Sequence, residues 1–435
     1  MKWPLGCERC FTFNTAGGST DVSYVQRSAS GEGTATMVTE EEKTLSDYTL
    51  LIGGTTLCGA GWYVVRGGVY VPGTLSFTDD AHLILCDGAS LNVQNGIEIA
   101  DGKTLTVYGQ ENNTGELQAH VFDGQTLIPA IGCRSGSDRS RLVIHGGTVK
   151  AINEAQNERF WSDDRQSCGI GVWQLTIYGG NITATGGYDG AGISNSCSEE
   201  TRNNAGFVRI YGGMVTATGD DYGAGIGGYK GEHQNLAVNI YGSAVTAIGG
   251  TDAAGIGGGE DGNGGEVNIY GGAVYAYGND CGAGIGGGED GTGGRVYIYG
   301  GTVTAKAGEE SGTGHRAIGP GEGSDEYGTV TIGNKMTVWA GTEGSKNHFS
   351  KAERAGACQF NAYALIAECD HSGHTYTING TSTEGTHTVH CQYCSVSFTA
   401  EKHNFGGGDE TLVKNNGMTV GSVTLTGRTL WKDNS

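Results

Sequence analysis

The sequence predicts an all-β protein: a single-stranded right-handed parallel β-helix, or solenoid, followed by a small C-terminal Cys/His module. Three observations predict it. First, one phrase recurs. Val208-Arg-Ile-Tyr-Gly-Gly213 leads through Met214-Val-Thr-Ala-Thr218 to Gly223-Ala-Gly-Ile-Gly-Gly228, and close copies follow, with Tyr241, Tyr270 and Tyr299 spaced 29 residues apart. A fixed period of this size marks units that bury their apolar faces only against neighbouring copies. Second, Val238, Ile240, Val245 and Ala247 alternate with Asn239, Tyr241 and Thr246, the period-two pattern of strands with one buried face. Third, glycine pairs and triplets separate the short runs, 82 glycines in 435 residues. They suit tight corners that need positive φ, and Gly255 and Gly284 are expected at such corners. Helix is disfavoured, because each interior glycine costs about 1 kcal/mol relative to alanine.

Taken in order, residues 1–47 are dominated by Ser, Thr, Gly and Glu and read as a poorly ordered leader. The solenoid occupies 48–345. Its early strands, among them Trp62-Tyr-Val-Val65, Val69-Tyr-Val71, Leu75-Ser-Phe77, His82-Leu-Ile-Leu85 and Leu91-Asn-Val93, follow one another closely with Gly or Asp-Gly turns between most of them. Three strands to a coil give about 22 residues per turn at first and 29 later. Stacked at about 4.8 Å per coil, roughly eleven turns make a rod of about 50 Å. The series closes at Val330-Thr-Ile-Gly333 and Met336-Thr-Val-Trp-Ala340. Residues 355–405 form the Cys/His module, and 406–435 start a further β module whose end reads as one hairpin.

The formal net charge is −21, from 47 acidic and 26 basic residues. This balance argues against nucleic acid and against anionic membrane surfaces, both of which select basic patches. No apolar run is long enough for a membrane-spanning helix, so membrane insertion is not expected. The start, Met1-Lys-Trp-Pro-Leu-Gly-Cys7, lacks the apolar core of a secretory signal.

The segments Trp62-Tyr-Val-Val65, His82-Leu-Ile-Leu85 and Gly96-Ile97, the Ile-Tyr-Gly-Gly and Gly-Ala-Gly-Ile-Gly-Gly repeats, and Leu425-Thr-Gly-Arg-Thr-Leu-Trp-Lys-Asp433 together resemble the glycine-rich parallel β-helix regions of large secreted or surface proteins of anaerobic gut bacteria. The resemblance covers roughly residues 50–435. It implies export and a secreted or cell-surface location. It also implies that the chain is a fragment of something longer.

Four groups of residues carry the functional expectations. Tyr178, Tyr211, Tyr241, Tyr270 and Tyr299 form an outward column preceded by Tyr108 and His145. Such rings stack either on sugar rings or on one another. Near its end Tyr275, Tyr277 and Tyr297 enlarge the aromatic surface. Tyr270, Tyr275, Tyr277, Tyr297 and Tyr299 are therefore the expected glycan-binding patch, and a polysaccharide or host or bacterial glycan the expected partner. Cys369, His371, Cys391 and Cys394 supply four soft ligands, the number and type of a closed tetrahedral zinc site; a disulfide or free thiols are the alternatives. Glu260, Asp261, Glu289 and Asp290 could hold calcium, or form a solvated acidic corner. Asp189, Asp220, Asp221, Asp252 and Asp280 could furnish the paired carboxylates of a glycoside hydrolase, but turn chemistry alone favours Asp at repeated corners. The sequence is thus read as a glycan-binding or adhesive stalk. A polysaccharide lyase or glycoside hydrolase is the alternative, and a purely structural spacer a further one.

Overall fold

The computed structural model describes residues 21–122, 128–134, 139–154, 167–195, 206–231, 236–309, 316–369, 376–379, 387–391, 393–394, 397–400, 423–425 and 428–430. Successive strands fall in rotation onto three parallel sheets that run the length of a solenoid. One sheet has ten strands, ending with Ile318–Gly319; the second has eleven, from Thr49–Leu50 to Thr329–Ile332. The third runs from Gly68–Val71 to Thr302–Lys306 and then takes on three antiparallel strands. The expected parallel β-helix is the observed fold.

Coils stack in strict register. Val208 pairs with Val238, Val238 with Val267, and Val267 with Val296. The core is therefore a set of columns in which residues lie on their own kind. Ala151, Ala184, Ala217, Ala247, Ala276 and Ala305 form one such column, and Ile226, Ile256, Ile285 and Ile318 another, all with 0% exposure.

The corners divide into two kinds. Gly180, Gly213, Gly272 and Gly301 have φ of 98°, 87°, 90° and 83°, the left-handed region that glycine enters without steric cost. Gly255 and Gly284 do not, contrary to expectation. A Cβ on Gly255 would lie 2.5 Å from the Tyr277 amide nitrogen, and one on Gly284 2.6 Å from that of Lys306. Glycine is required there because the next coil's backbone passes directly beneath.

Both ends depart from the repeat. Residues from 22 to 45 are ordered, not the structureless leader that their composition suggests. β1 (Val22–Ser30) and β2 (Met37–Leu45) pair as an antiparallel hairpin. The sequence signal is weak because β2 is mostly exposed: its backbone is satisfied by β1, so it needs no apolar face. At the other end Met336–Thr342 does not extend the parallel stack. It pairs antiparallel with Ser345–Phe349 and Tyr363–Glu368, and the latter pairs antiparallel with Thr302–Lys306. The helix α1 (Arg354–Gln359) adds Ala357 and Cys358 to the solenoid core cluster and so closes its end. Further on, Tyr376–Asn379, His387–Cys391, Ser397–Ala400, Val423–Leu425 and Arg428–Leu430 form a five-stranded sheet. Among the described residues no helix is long and apolar enough to cross a membrane.

Gly255→Ala and Gly284→Ala should each destabilise the solenoid by roughly 1–3 kcal/mol, the usual cost of forcing atoms into a packed interior. Gly88, with φ of 73° and open space around it, should accept Asn with little loss, since Asn tolerates that conformation. Chemical denaturation of the three variants checks the contrast; equal losses at all three would contradict it.

Candidate functional site

The tyrosine column is a continuous stack. Tyr108, His145, Tyr178, Tyr211, Tyr241, Tyr270 and Tyr299 follow one another with ring centroids 4.7, 5.0, 5.1, 4.6, 4.9 and 5.3 Å apart. Interplanar angles stay between 5° and 14°. The spacing is set by the coils, because each ring stands at or just after the end of a strand in the eleven-stranded sheet. Behind it the preceding residue, such as Ile177, Ile210, Ile240, Ile269 or Ile298, is fully buried.

Stacking of this kind has a chemical consequence. A ring's electron-rich face attracts the C–H groups of a sugar, and within the column both faces are taken by neighbouring rings. The interior tyrosines present edges and hydroxyls. Only the last ring differs. Ile332 pairs with Ile298, so Gly333 occupies the column position after Tyr299 and places no ring on its outer face. Tyr299 is 39% exposed. Beside it stands Tyr297, parallel within 7° at 6.2 Å. That is close to the roughly 6.6 Å between alternate residues of a strand, so the two rings stand side by side. Tyr297 itself breaks a column that reads Asn239, Asn268, Tyr297, Thr331.

The hairpin lies along the stack. At its base Val22 and Tyr24 join Val64, Ile84 and Tyr108 in a buried cluster, with the Tyr24 ring 5.0 Å from Trp62 and 4.8 Å from Tyr108. The Val25 N–H donates to Gly109 O at 2.9 Å. The Arg27 N–H donates to His145 Nδ1 at 3.0 Å, and its guanidinium donates to His145 O and pairs with Glu40 at 2.6 Å. At the tip, Gly33 lies against the Tyr270 ring. Among the described residues, two openings lie between hairpin and stack. One, of about 450 Å³, is lined by Arg27, Val38, Glu40, Tyr178, Tyr211 and Tyr241. The other, of about 470 Å³, lies at the tip, where Glu32, Thr34, Asn334 and Lys335 surround Tyr270 and Tyr299.

The five tyrosines expected to form one patch are divided. Tyr270, Tyr297 and Tyr299 meet at the end of the stack, whereas Tyr275 and Tyr277 lie on the strand Ala273–Tyr277 of the third sheet. There the Lys306 ammonium stands over the Tyr277 ring at 5.1 Å. The coil places an intervening corner between the two groups, which counting residues along two coils does not show. The hairpin, which contributes residues to both openings, was missed; the apolar pair Val22 and Tyr24 was the available signal.

The acidic corner gathers Asp252, Glu260 and Glu289, with one oxygen of each within 4.8 Å of the others. Asp261 and Asp290 sit beside them in left-handed turns, with φ of 59° and 56°. Burial, and then Asp252, Asp290, Glu260 and Asp261, push the Glu289 carboxyl up. Glu260 forms an ion pair with Lys230. Asp189 is pushed up to about 6, first by burial and then by Asp221, Glu260 and Asp220, against the opposing pull of Lys230. Asp189, Asp221, Asp252 and Asp280 share left-handed φ of 53°, 40°, 57° and 43°, so turn geometry accounts for their recurrence. Cys369, Cys391 and Cys394 are brought together; His371, their expected companion, lies outside the described residues.

Five stretches, residues 175–197, 208–231, 238–260, 267–289 and 296–321, match a family model described as the beta helix repeat. Each contains one member of the stack, from Tyr178 to Tyr299. No curated protein and no solved structure matches the chain.

Docking of the hairpin should depend on pH. Burial, then the Arg27 guanidinium, push His145 down to about 4, against the hydrogen bond from the Arg27 N–H. Undocking removes the Arg27 charge and part of the burial, so the imidazole, still stacked between Tyr108 and Tyr178, moves back up toward its ordinary value near 6.5. Between about pH 6.5 and 4 the undocked state binds a proton that the docked state refuses, so docking is fully favoured above this window and weakens as pH falls through it. Hydrogen exchange at the Val25 amide, corrected for intrinsic rate, should accelerate near pH 4 while the Val238 amide stays protected. Unchanged protection at Val25 would contradict this.

Proposed function

We propose that this β-helix repeat protein binds glycans at the open end of its tyrosine stack. The observation that carries the reading is the uncovered outer face of Tyr299, left free by Gly333 and widened by Tyr297. A pyranose presents an apolar C–H face and a rim of hydroxyls. Tyr299 and Tyr297 offer the matching platform, and Glu32, Thr34, Asn334 and Lys335 around the same opening offer donors and acceptors for the rim. A concave, partly apolar surface with a few convergent polar groups is the common form of a small-molecule site. The interior of the stack serves the fold: each ring pair adds about 0.5–1.5 kcal/mol beyond the area it buries.

This reading makes the solenoid a rigid stalk with a recognition surface near its closed end, which suits a secreted or surface-attached protein that meets mixed polysaccharides. The hydrolase or lyase alternative has less support, since the carboxylates of the acidic corner follow the repeat and occupy turn positions. Binding by one platform is expected to be weak and tolerant of sugar identity, as ring stacking reads the apolar face and not each hydroxyl.

Replacing Tyr299 with Ala should weaken binding of an oligosaccharide found by array screening by about tenfold or more, the range for a central aromatic anchor. The melting temperature should hardly change. Tyr211→Ala should do the opposite, lowering thermal stability through two lost ring contacts and leaving affinity unaltered. Calorimetric titration and thermal melts check both. Equal losses of affinity in the two variants would contradict the proposal, and product release from the same oligosaccharide would favour the enzyme.

A further inference from the structure

Away from the tyrosine stack, three thiols from distant stretches meet at the closed end of the solenoid. Cys369 follows the cap strand Tyr363–Glu368 and is held there by its N–H, which donates to Lys335 O at 2.8 Å. Cys391 ends the strand His387–Cys391, and Cys394 lies in the turn beyond it. The three sulfurs lie within 4.8 Å of one another, with Cys369 Sγ and Cys391 Sγ 3.7 Å apart. Exposures are 8, 3 and 1%. The turn is fixed from outside as well. Tyr393 stacks on His348 at 3.5 Å, and His348 on Trp339 at 4.5 Å, both of them on the antiparallel cap.

The arrangement suits coordination better than a disulfide. A disulfide joins two sulfurs at about 2.05 Å and gives no reason for a third to converge. Around a tetrahedral zinc with Zn–S bonds of about 2.3 Å, geometry sets sulfur–sulfur separations near 3.8 Å. Arg354, 6% exposed, steadies the same end of the solenoid by donating to Met336 O at 2.7 Å and Ile332 O at 2.9 Å.

We propose that Cys369, Cys391 and Cys394 bind a zinc ion that staples the chain after the cap to the end of the solenoid. On binding, each thiol gives its proton to solvent and its sulfur lone pair to the metal. The fourth position is filled by one further donor, whose type the spectrum described below reports. The role is structural: the three ligands come from two segments separated by more than twenty residues, and the metal fixes them against each other.

The test uses the full chain, prepared under reducing conditions in zinc-containing medium. Elemental analysis should find one zinc per chain. Replacement by cobalt should give the absorption of a tetrahedral site, with sulfur-to-cobalt charge transfer of the strength expected for three thiolates. Cys369→Ser and Cys394→Ser should each weaken zinc binding at least tenfold, whereas Cys58→Ser, buried in the first coils, should leave it unchanged. If the serine variants fail to fold, the stoichiometry and cobalt spectrum of the parent decide the matter. A chelator should lower the parent's thermal transition and expose it to proteolysis after Cys369. Less than a tenth of an equivalent of zinc, iron in its place, a cobalt spectrum with fewer than three thiolates, or a Cys369–Cys391 disulfide in protein prepared without oxygen would each overturn the proposal.

Discussion

Every feature of this molecule depends on the hydrogen-bonded stacking of each coil on the next in strict register. Once backbone repeats at the separation of neighbouring strands, whatever stands at one position stands over its equivalents in the coils on either side. Apolar residues become core columns, tyrosines become a stack, and aspartates become crowded corners. The same closeness excludes Cβ atoms where backbones cross, as at Gly255 and Gly284. The high glycine content is therefore a consequence of packing between coils as much as of turn conformation.

The same constraint separates fold from recognition. A side chain that repeats in every coil is presented mainly to its own copies. In the tyrosine stack this uses up the ring faces, and along the acidic corner burial, with the neighbouring carboxylates adding to it, raises the Glu289 and Asp189 carboxyls. Surfaces available to a ligand arise where the repeat is interrupted. Tyr297 replaces an asparagine and Gly333 replaces a tyrosine within two successive coils. Those two departures, and the hairpin tip beside them, define the proposed glycan platform. The cap that closes the core begins at the same end, and the three converging cysteines hang from it.

Much of the fold was legible in the sequence, because the pattern of Val208 to Ile318 states one coil several times and the alternation within a coil states which face is buried. The direction of the tyrosines followed from the same alternation. What the sequence concealed was contact between segments that do not repeat. Between Val22 and Leu45 the short apolar run at its start is the one signal that it will lie against Tyr108 and His145, since only Val22, Tyr24 and Val25 become buried there. Proximity along the chain also misled. Tyr275 and Tyr277 are near Tyr270 in sequence, but a corner turns them onto another sheet. Likewise Asp261 and Asp290 neighbour the glutamates, yet Asp252 is the residue whose carboxylate joins them. Cysteine spacing, by contrast, placed Cys391 and Cys394 near each other, since only two residues separate them, and the structure brings Cys369 to them.

The central claim is that the ends of aromatic stacks bind and their interiors do not. Covalent footprinting of tyrosines, with and without a saturating oligosaccharide, tests it most directly. The account predicts protection at Tyr297 and Tyr299 and none at Tyr178, Tyr211, Tyr241, Tyr275 or Tyr277. Protection spread along the interior of the stack, or centred on Tyr275 and Tyr277, would contradict it.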